Sequence, residues 1–271
     1  MDLLALKVLL APTLIALATL AARRYGPAVG GWLSALPLIA GPVLLIYALQ
    51  HGTLFAERAA EGTLIGLLAL SLFITVYARL APHRGVAVSL LAGWSAFFAL
   101  TAVTVAWRPP VHVAALLVAG ALIGAAALTR RSHPPHDLAP RGRGGTLLAA
   151  RVLATATLVL GLSELSGALG PQLGGILVAF PVLASLLAGF THASDGGPAA
   201  ATLLRGMITG LIGFAGFCLV AALELRALGV AAGLLAAVVA SLTLHATTLP
   251  LARDIGRAQR LADGIGSLPP P

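Results

Sequence analysis

Charge, cysteine and aromatic side chains are all scarce in this chain. Of its 271 residues nine are acidic and seventeen are Lys or Arg, so only 10% carry charge, and 5% are aromatic. A soluble domain carries about a quarter charged residues, which excludes an ordinary water-facing surface here. The single cysteine, Cys218, excludes an intrachain disulfide, and its place in an apolar stretch reads as inert packing. No GxxxxGK(S/T) loop, GxGxxG turn, HExxH helix or GxSxG elbow occurs, so ATP-driven pumping and the familiar hydrolyses are disfavoured. The net charge of +8 invites a nucleic-acid reading, but the arginines are scattered over loops with no aromatic-interleaved platform. No nucleic acid and no cofactor is expected.

What is present is apolar: 59% of residues are hydrophobic. Nine stretches approach the length needed to cross about 30 Å of hydrocarbon at about 1.5 Å per residue. They run from 3 to 22, 28 to 50, 62 to 81, 85 to 106, 111 to 128, 147 to 166, 171 to 192, 203 to 223 and 229 to 250. Lipid offers no partner to unpaired backbone groups, so such stretches are expected as helices. The first is kept as a helix rather than a signal peptide, because its start is not basic and it has a counterpart at 147 to 166. With the N-terminus outside, the inside loops collect Arg23, Arg24, Arg79, Arg84, Arg130, Arg131, Arg141, Arg143, Arg205, Arg253, Arg257 and Arg260. The outside loops hold Arg58, Arg108 and Arg226 among Glu57, Glu61, Glu164 and Glu224, so the bias predicts N-out, C-in.

The chain also repeats itself. Shifted by 144 positions, residues 3–107 fall on 147–251 without a gap, with 33 identities in 105 pairs. Each half holds four stretches and the fifth, within 108–128, is an extra crossing between them. The expected fold is therefore all-α, with nine transmembrane helices as 4+1+4 inverted-topology repeats: 1–107, then the linking helix, a basic cytoplasmic linker at 129–146, the second repeat at 147–251 and a disordered tail at 252–271. The loop charges agree, since Arg23 and Arg24 become Gly167 and Ala168, and Arg79 and Arg84 become Leu223 and Leu228. If helix two of each repeat were a re-entrant hairpin instead, the repeats would be parallel.

One motif recurs, GPxxGGxxxxxP, at Gly26–Pro37 and Gly170–Pro181. Pro27 and Pro171 suit a first helical turn, and Gly30, Gly31, Gly174 and Gly175 let a neighbouring backbone come close. Pro37 and Pro181 lie ten residues further on, about 15 Å along a helix and so near the midplane. A proline there breaks the helix and frees the carbonyls of Leu33 and Leu177 as acceptors. Two such breaks entering from opposite sides would meet at the midplane, and Ser34 beside the first completes the expected substrate site. The competing reading is structural, because kinks and close-packing glycines are common in membrane helices.

Ionisable residues deep in the apolar stretches are few. Glu164 closes the sixth stretch before the second motif and is a candidate cation or proton site or a surface carboxylate. His245, in LHATTLP, is a candidate proton shuttle or an interfacial histidine on a backbone carbonyl. His192 and Asp195 end the seventh stretch as a candidate proton-sensitive gate or a plain exit to water. His133 and His136 flank two prolines and read as part of a solvated linker rather than a metal pair. No metal site is expected, and these spans are too nearly charge-free for an intramembrane enzyme, so no catalytic activity is expected.

The segment from Gly174 through Gly210 resembles the GlpM-like family of short four-helix bacterial membrane proteins. The residues that carry the likeness are Gly175, Phe180, Pro181, His192, Arg205 and Gly206. In the first half Leu36 stands for the Phe and Glu61 for the Arg. The likeness implies two such units fused through the fifth helix, in a bacterial inner membrane, with a link to exopolysaccharide production. The outline is also similar to fused small-multidrug-resistance transporters, without their membrane-embedded glutamate. The expected function is a secondary transporter or translocator of a small or lipid-linked solute. The alternative is a non-transporting accessory or scaffold subunit of a cell-envelope synthesis complex. Expected partners are membrane lipid and either a second copy or that complex.

Overall fold

The computed structural model describes residues 20–22, 24–37, 40–107, 109–130, 171–179 and 181–265. The first stretch up to residue 19, the sixth stretch, Glu164 and nearly all of the 129–146 linker lie outside the described residues. Among the described residues there is no strand. The helices are α1 Pro27–Ser34, α2 Ala40–His51, α3 Thr53–Leu80, α4 Val86–Trp107, α5 Val111–Thr129, α6 Pro171–Val178, α7 Val182–Asp195 and α8 Gly197–Ile265. Gly229, with φ 79° and ψ 171°, divides α8 into two arms.

Loops are shorter than the sequence predicts. Gly52 alone separates α2 from α3, and Gly196 alone separates α7 from α8. Their dihedrals nearly coincide, φ 86° and ψ 167° against φ 90° and ψ 167°, in a region open only to glycine. Because a single residue makes each reversal, α3 and α8 begin earlier than expected. Glu57, Arg58 and Glu61 therefore lie on the first turns of α3 rather than in an outside loop. The expected disordered tail is likewise helical as far as Ile265, where Arg, Ala, Gln and Leu sustain the helix after Pro250.

The core is the antiparallel pair formed by α3 and the first arm of α8. The Arg226 N–H donates to Glu57 Oε1 at 2.8 Å at one end, and Gly197 abuts the Ala81 carbonyl at the other. α3 is buried along most of its length, including Leu64, Leu67, Phe73 and Tyr77. α4 and α5 flank this pair and turn Leu91, Phe98, Val103, Leu116, Ile123 and Leu128 outward. An apolar exterior of that extent suits hydrocarbon rather than water. Four helices, Thr53–Leu80, Val86–Trp107, Val111–Thr129 and Gly197–Ala258, are long and apolar enough to cross a membrane. The protein is an all-helical membrane protein.

The broken helices run alongside α8 and α3. Along α1 and α2, Ala28 lies by Gly206, Trp32 by Gly210 and Gly41 by Phe217, advancing steadily along α8. Along α6 and α7, Gly175 lies by Ala59, Ile176 by Gly66 and His192 by Tyr77, advancing along α3. Within the described residues neither pair turns back on itself.

The ends of the bundle are sorted by charge. The end that gathers the C-termini of α3, α5 and α7 and the start of α8 also receives Arg253 and Arg257, since Gly256 lies by Ala28, itself against Gly206. Arg24, Arg79, Arg84, Arg130 and Arg205 share that end, where the Arg79 guanidinium donates to the Leu128 carbonyl at 3.5 Å. Arg58 and Arg226 stand at the other end among Glu57, Glu61 and Glu224.

Candidate functional site

The two proline breaks have one backbone design. Each first segment tightens into a closing turn, with Ala35 N–H donating to the Trp32 carbonyl at 3.2 Å and Ala179 N–H to the Ile176 carbonyl at 3.1 Å. Each proline carbonyl then opens the next helix, accepting from Gly41 N–H at 3.0 Å or Ser185 N–H at 2.8 Å. Each break lies against a glycine at mid-length of a long helix. A Cβ on Gly210 would sit 2.8 Å from Ala35 Cβ, and one on Gly66 would sit 2.7 Å from Ala179 Cβ. The partners are 144 positions apart throughout, and each broken segment rests on the long helix of the opposite half.

The motif glycines make that packing possible. Gly31 meets the Leu203 carbonyl and Gly175 the Ala59 carbonyl, contacts again related by 144 positions. A Cβ on Gly31 would be 2.8 Å from the Leu203 carbonyl carbon, and one on Gly175 would be 2.9 Å from that of Ala59. Thr63 locks the second contact, its hydroxyl within 2.8 Å of the Ala59 carbonyl and 3.0 Å of the Gly175 carbonyl. Gly30 and Gly174 are also buried. Among these residues the glycines hold helices together.

Several expected site residues are otherwise engaged. The Leu33 carbonyl is not a free acceptor, because the tightened turn brings the Leu36 N–H to it at 3.3 Å. The Ser34 hydroxyl is turned back onto the Gly31 carbonyl at 2.6 Å. Leu177 lies in α6, and Pro37 and Pro181 mark the breaks. The breaks also do not rest on each other. α1 packs on α8, α6 packs on α3, and the α3–α8 pair connects them. At the basic end His192 and Asp195 part company: His192 Nδ1 lies 3.2 Å from the Tyr77 hydroxyl, and Asp195 accepts from the Ser194 hydroxyl at 2.8 Å.

His245 is where the first break acquires chemistry. The second arm of α8 folds back on the first, which sets His245 against Gly210 and Gly213, at mid-length of the bundle. It is 2% exposed, and it sits on a backbone carbonyl as one of the two sequence readings expects. Its Nε2 lies 3.0 Å from the Trp32 carbonyl, and the two rings are 4.2 Å apart at 38°. The Trp32 indole N–H donates to Thr248 Oγ1 at 3.0 Å, and Thr248 donates to the His245 carbonyl at 2.8 Å. The Gly210 backbone faces the ring as a further acceptor, but at a geometry that leaves Nδ1 without a formed hydrogen bond. Ser241 Oγ, one turn earlier on the same face, is also buried without a partner. Left dry, each such atom costs about 1–3 kcal/mol, so the pair marks a place where stability has been given up.

Reading the chain residue by residue misses Trp32 and Ser241. Their signals are faint: Trp32 follows the motif glycines directly, and Ser241 precedes His245 by four. Among the described residues no group of His, Cys, Asp and Glu could hold a metal ion. No family model, curated protein or solved structure matches the chain.

Proposed function

We propose that the protein is a secondary transporter or translocator built from two inverted repeats, in the 4+1+4 arrangement expected from the sequence. The observation that carries this reading is the pair of helix breaks, between α1 and α2 and between α6 and α7, packed against the middle of the first arm of α8 and of α3, two counterpart helices that run antiparallel. Broken helices at the midplane of inverted halves are the usual ground for alternating access, because each half can rock against the other about the breaks. The charge-sorted ends support an N-out, C-in orientation in a bacterial inner membrane, with the basic end in the cytoplasm. The near absence of charge at mid-depth favours a small or lipid-linked solute of low polarity as cargo.

The glycine contacts favour a second reading. Backbones this close leave little room between helices, as in a scaffold subunit of a cell-envelope complex that packs and does not transport. Thiol labelling separates the two. In a Cys218→Ala background, Ser34→Cys and Val178→Cys are expected to react with a membrane-impermeant reagent, at a rate that changes with conformation or added solute. Absence of labelling from both sides would mean a dry, packed centre and would favour the scaffold.

A further inference from the structure

The two breaks share a backbone but not their chemistry. Around the first stand Trp32, Ser241, His245 and Thr248; their counterparts 144 positions away are Ile176, Phe97, Thr101 and Thr104. One break has an imidazole, an indole and a serine where the other has a threonine, whose hydroxyl is likewise buried without a partner, an aliphatic chain and a phenyl ring. We propose that the first break is a proton-binding site, with Nδ1 of His245 as the atom that takes the proton, and that the second break has no equivalent. Its role in coupling rests on the transport reading.

The hydrogen bonds assign the atom. A carbonyl only accepts, so the Trp32 carbonyl fixes the ring proton of neutral His245 on Nε2. Nδ1 is then a bare lone pair, fully enclosed, one helical turn from the equally enclosed Ser241 Oγ. Every neighbour tolerates the imidazolium that follows proton uptake. Nε2–H keeps its carbonyl, the new Nδ1–H faces the Gly210 backbone packed against the ring, and the Trp32 face offers a cation–π contact. The proton adds to a lone pair and leaves from the same atom, so no other bond changes.

No other charge intrudes at this level among the described residues. α1 carries no ionisable side chain, nor does α8 between 206 and 217, nor its second arm from 230 to 252 apart from His245. Arg205 and Cys218 bracket the facing stretch of α8, and Arg253 lies two turns beyond His245. On the other elements packed against α8, Glu57, Arg58, Glu61, Tyr77 and Arg79 of α3, Tyr47 and His51 of α2, His112 of α5 with Arg130 just past its end, and His192 and Asp195 of α7 stand toward the ends. A proton at mid-depth therefore finds one acceptor.

Trp32 is a built-in reporter, because an imidazolium in contact quenches indole fluorescence. The full chain is titrated in lipid nanodiscs with Trp94→Phe and Trp107→Phe, leaving Trp32 alone; the difference between wild type and His245→Gln gives the same signal should that background fold poorly. Trp32 emission is expected to fall with pH along a single-proton curve, and His245→Gln to abolish it. A flat response in folded protein, or one that survives His245→Gln, overturns the proposal. A flat response alongside labelling of Ser34→Cys removes the proton site and leaves the transport reading, whereas a His245-dependent titration without labelling upholds the site and removes that reading.

Discussion

Gly31→Ala and Gly175→Ala are each expected to destabilise the folded protein by about 3 kcal/mol, at the upper end of overpacking costs. The atoms a new methyl group would strike are the carbonyls of Leu203 and Ala59, with the Met207 nitrogen 3.0 Å and the Thr63 nitrogen 2.9 Å away. These are backbone atoms of helices pinned on all sides, so no rotamer change relieves the overlap and α1 or α6 must lift from its partner. Unfolding of purified protein in mixed micelles reads the loss. Gly120→Ala and Gly124→Ala on α5, where nothing lies within 4 Å, serve as controls and should be neutral or gain up to about 1 kcal/mol from helix propensity. Equal losses at Gly31 and Gly175 follow from the matched contacts; a harmless Gly31→Ala would mean that α1 does not sit on α8 as described.

The second large effect lies at the one-residue reversals. Gly52→Ala and Gly196→Ala are each expected to cost about 1–3 kcal/mol, because φ near 90° with ψ near 170° is almost closed to a residue with a Cβ. At Gly52 nothing lies within 4 Å of the added atom, so the loss there is backbone strain alone. Gly229 and Gly85 offer an internal contrast. They are counterparts by sequence, and both have open space, but only Gly229 has a positive φ, of 79°. Gly229→Ala should therefore cost about as much as Gly52→Ala, and Gly85→Ala close to nothing. The same unfolding assay ranks the four variants.

Local chemistry was legible in the sequence and long-range chemistry was not. Pro37 and Pro181 break their helices where a missing N–H requires it, and Gly31 and Gly175 are buried as close-contact residues. Nothing in either motif says which helix the glycines touch, because Gly31 and Leu203 are joined only by the folded bundle. The freed Leu33 carbonyl was reasonable for an ideal helix, but the last turn tightened and closed it. Hydropathy missed the first turns of α3, since Glu57, Arg58 and Glu61 depress it while a lone Gly52 suffices as the turn. His245 looked interfacial because Pro250 lies five residues on, yet the helix passes through Pro250 and reaches Ile265. Its depth is set by the fold-back at Gly229, a tertiary fact. Trp32 and His245 lie far apart in the chain and become one site only there.

The measurement that tests the inverted arrangement most directly uses one pair of counterpart positions. His51 ends α2 and Asp195 ends α7, 144 positions apart and both exposed. In a Cys218→Ala background, His51→Cys should react with an impermeant thiol reagent added to intact cells, and Asp195→Cys should react only after the membrane is opened. Labelling of both residues from the same side would contradict the account, because repeats that face the same way cannot carry their breaks in from opposite surfaces onto an antiparallel α3–α8 pair.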